Sequence, residues 1–157
     1  MNHKTLPTLS DWVGGARTIE NWVTRFYGKV GSDPVLGPIF ASMSPQHAEH
    51  VSAFITEVFG GPRLYSEAGG SHAKMIAHHM GRQLTHQQRR AWLSLLLDTA
   101  DEIGIRDDPE FRASLVGYLE WGSRLAVMNS QQGVQHPDEK LPMPKWTRTS
   151  PGGPYSP

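Results

Sequence analysis

No cysteine occurs among the 157 residues, which excludes disulfides, thiolate nucleophiles and zinc–thiolate sites. Neither sign of charge is in excess. Fifteen Lys and Arg balance fifteen Asp and Glu, so the chain offers no electrostatic footprint for nucleic acid or for an anionic membrane surface. No uninterrupted apolar run is long enough to span a bilayer, and the opening MNHKTLPTLSDW lacks the apolar core of a signal peptide. These absences predict a cytoplasmic protein that engages neither nucleic acid nor membrane. Strand signals are missing as well: nowhere does a β-branched run alternate with polar residues. The glycine pairs at 60–61 and 69–70 follow no strand and lack the spacing of a phosphate-cradling loop, so they read as chain reversals. A chain of this length suits one domain. What it holds in unusual number are eight histidines and five tryptophans, and both excesses invite a cofactor.

Helical periodicity fills most of the chain. Ser10 and Asp11 can cap a very short helix that Gly14-Gly15 breaks. Thr18 is expected to open the first long helix, where Ile19, Trp22, Val23, Phe26, Tyr27 and Val30 recur as one core-facing stripe. Tyr27 lies on that stripe, so its hydroxyl points inward and needs a partner. It is either a core tyrosine bonded to a carbonyl or a donor aimed at a ligand. Asp33-Pro34 starts a short helix carrying Leu36, Ile39 and Phe40, and Ser44-Pro45 starts a longer one running to Phe59. Ala48, Val51, Ile55 and Val58 form its apolar line, flanked by His47, Phe54 and Phe59. His47, on the edge of that line, is either a half-exposed satisfied residue or a ligand contact. The segment GGPRLYSEAGGSH reads as loop.

The organising stretch is Ala73 to Leu97. Gly81 can end a segment closed by His78 and His79, and Thr85 with Gln88 forms a capping box for the next helix. Trp92, Leu95, Leu96, Thr99 and Ile103 share one face of it. Such a stretch builds either an ordinary helical corner or one side of a cofactor pocket. Asp108-Pro109 starts the last helix, with Phe111, Leu115, Tyr118, Leu125 and Met128 as its inner face and Gly122 allowing close approach. Beyond Asn129 the period is lost, and half of the twelve prolines fall between Pro137 and Pro157. The expected organisation is a helical domain over 1–129 and a proline- and glycine-rich tail over 130–157, with Trp146 as the tail's anchor.

The ordered set RFYGKVGSDPVLGPIF (25–40), FGGPRLYSEAGG (59–70), His79 and RRAWL (89–93) resembles the truncated haemoglobins of group II. Gly14-Gly15 and Gly60-Gly61 also stand where that family places its glycine pairs. The resemblance covers about Leu9 to Met128. It implies an all-α, globin-like fold, a truncated two-over-two helical sandwich around haem b, with the C-terminal tail outside it. It implies binding of dioxygen and related diatomics, with oxygen transport, nitric oxide detoxification or peroxidase-like turnover as possible uses. A separate reductase and a monomeric or homodimeric state go with it.

Position by position, the resemblance implies that His79 binds the iron and that Tyr27 and Trp92 face the bound ligand. His47 and Val51 fall at the distal positions nearest it. Phe40 packs on the haem face, and Phe54 helps to exclude water. The family usually carries an arginine just before the proximal histidine and Pro-Phe after it, whereas here the run is Ala77-His78-His79-Met80-Gly81-Arg82. Lys74, Arg82 and Arg63 are therefore the candidates for the haem propionates. Two other readings stay open on the residues alone. One is a helical non-haem metal protein using His47, His50, His72, His78 or His79; the other is a cofactor-free interaction module whose tail is the recognition element.

Overall fold

A computed structural model describes residues 7–147. The first six residues (1–6) and the last ten residues of the expected tail (148–157) lie outside the described residues. Eight helices follow in order: α1 (Leu9–Val13), α2 (Ala16–Val30), α3 (Gly37–Phe40), α4 (His47–Val58), α5 (Leu64–Glu67), α6 (His72–His79), α7 (His86–Glu102) and α8 (Pro109–Asn129). Among the described residues there is no strand. The expected all-α fold stands.

α2 packs on α4 and α7 on α8, and α2 also touches α7, so two helix pairs face each other. The stripe expected on α2 makes this contact: Ile19, Trp22, Val23, Phe26 and Val30 are all buried. Burying side chains of this size stabilises by about 1.5–3 kcal/mol each. Trp22 also donates its indole N–H to the carbonyl of Leu96 at 2.9 Å, tying the two pairs together.

Several boundaries differ from expectation for local reasons. α1 is capped by Thr8 rather than Ser10, with a full capping box to Asp11. α2 begins at Ala16, two residues before Thr18, because Thr18 turns its hydroxyl back to Gly14 O at 3.1 Å instead of capping. Asp33 caps a turn rather than a helix: its Oδ1 accepts from Val35 and Leu36 N–H, and α3 begins only at Gly37, with Leu36 as its N-cap. α4 starts at His47 rather than Pro45. The loop after α4 winds into the short α5. The Thr85–Gln88 capping box and the Asp108 cap form as expected.

α8 corrects the inner face read from spacing. Phe111, Leu115, Leu119, Ser123 and Val127 are buried, an i+4 row. Such a row drifts around the helix, so Met128, expected inside, is 64% exposed. The segment after α8 returns across the fold. Trp146 donates from its backbone N–H to Val58 O at 2.8 Å and from its indole to Ser114 O at 3.1 Å. Leu9 N–H in turn donates to the carbonyl of Thr147. Gly61 sits in the same crowded corner, where an added Cβ would lie 2.6 Å from Ser10 Oγ and 2.9 Å from Thr56 O.

Candidate functional site: a cavity between the helix pairs

The large cavity, about 490 Å³, is lined by residues of every helix from α2 to α8. It collects Tyr27, Phe40, His47, Val51, Phe54, His79, Arg82 and Trp92, which the sequence places far apart. Lys74 is elsewhere. Its ammonium donates to Gly69 O at 2.8 Å, and it borders a separate pocket with Ser71, His136 and Glu139. The cavity lining does not include Arg63 either, so of the three candidate cations Arg82 alone borders it.

One wall is α6 and the corner after it. His79 Nδ1 lies 2.9 Å from the carbonyl of Met75, one turn earlier on the same helix. A carbonyl accepts only, so Nδ1 carries the proton and Nε2 is left with a free lone pair. Burial pushes the pKa of His79 down, which keeps the ring neutral, and the Met75 carbonyl opposes that shift only in part. A neutral imidazole with its distal nitrogen unprotonated is the form a metal needs. The adjacent His78 also borders the cavity, but no such bond holds its ring.

A second wall is built by α2, α3 and α4. Tyr27 Oη and His47 Nε2 are 3.0 Å apart. Phe40 stands edge-on to both rings, with centroids 5.6 Å from Tyr27 and 5.9 Å from His47. Burial raises the pKa of the Tyr27 phenol, so it keeps its proton. Burial lowers His47 to about 4, and the nearby His78, Arg82, His79 and His50 add to the shift. At neutral pH the pair therefore holds one phenol and one neutral imidazole. Only one of them can donate to the other at a time. α7 supplies Trp92, edge-on to Phe26 at 6.4 Å between centroids.

Several lining residues were not singled out from the sequence as site residues. Met75 and Ile76 come from α6, beside His72, which the sequence offered only as a non-haem metal ligand; Trp121 and Ala126 come from α8, and Pro144 from the returning segment. Arg89, inside the RRAWL run, is only 6% exposed and pairs with Glu120 at 2.7 Å. Spacing from Tyr118 to Gly122 and Ala126 marks a second α8 row that would have found part of this set; nothing local points to Pro144.

Among the described residues no three His, Asp or Glu side chains gather as a metal site. A single oriented imidazole in an apolar slot fits a different partner, a flat macrocycle that brings its own equatorial ligands. The donor chemistry and the aromatic lining thus suit haem. An all-helical sandwich enclosing such a slot defines a haem protein of globin type.

The family model for bacterial-like globins matches residues 8–120. The chain is 35% identical over 117 residues to a group 2 truncated hemoglobin of Bacillus subtilis (strain 168), covering 74% of this chain and 86% of that protein. The crystal structure of the group II truncated hemoglobin from Bacillus anthracis matches with a TM-score of 0.71 at 29% identity, over 83% of this chain and 98% of that one. The truncated oxygen-avid haemoglobin from Bacillus subtilis matches at 0.67 and 33%, over 76% and 98%. The chain belongs to the bacterial-like globin family and resembles its group II truncated members. Its cofactor is haem b, and it is an oxygen-binding globin. No helix among the described residues is long and apolar enough to cross a membrane.

Proposed function

We propose that this globin holds haem through His79 and retains dioxygen, or a related diatomic, by hydrogen bonds from Tyr27 and Trp92. The observation that carries the reading is the pair of walls: a ring fixed by Met75 on α6, and the Tyr27–His47 pair on α2 and α4. Haem, when bound, would supply an iron that takes a diatomic ligand reversibly. The chain does the rest. Met75 O holds His79 in the tautomer that offers Nε2. His47 Nε2–H, donating to the phenol oxygen, would release the Tyr27 O–H to point at a ligand, and the Trp92 indole N–H adds a second donor. Preorganised donors in a dry pocket hold developing negative charge well. Phe40, Phe54 and Val51 keep water out, and Arg82, bordering the cavity, would hold the propionates. His47 acts mainly on Tyr27.

Nitric oxide detoxification and peroxidase-like turnover are proposed as further reactions of this pocket, served by a cytoplasmic reductase. The helical globin unit is taken to end at Asn129, and the described part of the segment after it docks through Trp146. The test of the axial ligand is haem content, measured as the pyridine haemochrome. His79→Ala is expected to abolish stable haem binding and His78→Ala to retain it. Loss in the His78 variant alone would sink the assignment.

A further inference from the structure

Three aromatic rings form a path from the cavity to the surface at α8. Tyr118 and Trp121, one turn apart, both line the cavity, yet Tyr118 is 5% exposed and Trp121 is 38% exposed. Trp146 joins them from the returning segment, its ring centroid 5.9 Å from Trp121 and 6.1 Å from Tyr118, and the first two are 6.3 Å apart. All three separations are within the range of ring contact. The indole of Trp146 is fixed by Ser114 O, and its ring seats on bare backbone at Gly117, where a Cβ would come to 3.3 Å. Trp121 thus touches the cofactor space on one side and solvent on the other.

We propose that Trp121 is a redox-active surface site, through which phenols too large to enter the cavity reduce haem that hydrogen peroxide has oxidised. The proposal rests on the reading that the cavity holds haem and turns over peroxide. Peroxide takes up two electrons and two protons and leaves as two waters. The electrons come singly: haem takes one from the Trp121 indole, and a phenol at the surface restores it, losing one electron and one proton and leaving as a phenoxyl radical. Two phenols are consumed for each peroxide.

Other cavity-lining rings serve this purpose less well. Tyr27 is enclosed and hydrogen-bonded to His47, out of reach of a bulky donor. Oxidation of a phenol is eased by loss of its proton, and burial raises the pKa of Tyr118 so that it keeps its own. An indole gives up an electron before its proton, and Trp146 lets the resulting charge spread over a neighbouring ring.

The test uses haem-loaded full-length protein, hydrogen peroxide, and a phenol tethered to polyethylene glycol. Wild type without the phenol is expected to show a tryptophan radical by freeze-quench EPR and to carry the first oxidation product on Trp121 by peptide mapping. With the tethered phenol present, Trp121 is spared and the phenol is oxidised. Trp121→Phe, compared at equal haem content, is expected to lose the tethered-phenol oxidation and the tryptophan radical. Undiminished oxidation of the tethered phenol by that variant overturns the proposal, as does peroxide damage on Tyr27 or Trp92 with Trp121 intact. Should the variant fail to take up haem, the wild-type peptide map decides alone. Wild-type protein with a normal oxygenated spectrum but no response to peroxide overturns this proposal and leaves oxygen binding standing.

Discussion

The most direct probe of the distal wall is Tyr27→Phe, which removes one hydroxyl and little volume. Without ligand, Tyr27 and His47 share a neutral hydrogen bond, Oη to Nε2 at 3.0 Å. Its net contribution is about 1 kcal/mol. With a ligand present the pair need not break: His47, neutral because burial lowers it to about 4, can take the Nε2–H tautomer and donate to the phenol oxygen. The Tyr27 O–H is then an added bond to a partly charged acceptor, a class that contributes about 1.5–3 kcal/mol. Since about 1.4 kcal/mol is a factor of ten, Tyr27→Phe should raise dioxygen dissociation roughly ten- to a hundredfold. Carbon monoxide, which carries little charge, should change far less. His47→Leu removes the partner but leaves the phenol free to donate, so its effect should be smaller. Trp92→Phe should act like Tyr27→Phe, and the double variant should fall short of the product, because two donors on one acceptor rearrange when either is lost. Stopped-flow dissociation of both gases checks this. Equal changes for the two gases would mean that access or packing had altered, and the hydrogen-bonding role would have to be abandoned.

Other perturbations probe the frame around the site. Trp146→Ala should destabilise the protein by about 2–3 kcal/mol, below the value for a fully enclosed tryptophan because this ring is only half-buried; urea unfolding measures it, and no change would show the returning segment to be loosely held. Deleting residues 132–157, which keeps Ser130 and Gln131 and their bonds to the turn after His79, should likewise lower stability yet leave a Soret band. Acid should destabilise the apoprotein before its carboxylates titrate. His47, His72 and His79 all have native pKa values below the usual histidine range, chiefly through burial. The unfolded chain therefore binds protons that the native one refuses, and stability falls as pH drops from about 6.5 toward 4. One fully suppressed proton contributes about 1.4 kcal/mol per pH unit, and the partial exposure of His47 reduces its share to a fraction of that. Urea midpoints from pH 7 to 4.5 that stay level would contradict the burial of these rings.

The α2 stripe shows how much of the fold was legible. A buried helix face repeats every 3.6 residues, and Ile19 through Val30 follow that period closely enough to be read without a partner in view. Capping boxes are equally local, which is why Thr85–Gln88 could be placed. Residues that face a cavity obey the same period as residues that face the core, so Tyr27 and Trp22 look alike in the sequence. Only the cavity separates them: Trp22 bonds to a backbone carbonyl, and Tyr27 to a histidine from another helix. Met128 fails for a related reason. Its spacing from Tyr118 and Leu125 is helical, but the row that packs has already turned away.

The proximal corner depends on contacts that no local pattern carries. Gln83, the one non-glycine residue with positive φ among those described, donates its N–H to Ser130 O at 2.9 Å. Leu84 N–H donates to Ser130 Oγ at 2.9 Å, and the Gln131 amide donates to Leu84 O at 3.0 Å. The turn between His79 and Thr85 is thus pinned to the end of α8, almost fifty residues on. Glycine at 81 explains how the chain can leave α6, with φ of +76°. It does not explain where the chain goes next. That direction is fixed by Ser130, which is fully buried and whose hydroxyl also donates to Val127 O at 2.8 Å. A helix end that satisfies its own carbonyls with a serine, and then lends the same serine to a distant turn, couples the last helix to the wall that presents His79. Asn129 is the last helical residue by period, but the structure that orients the proximal imidazole continues to Gln131.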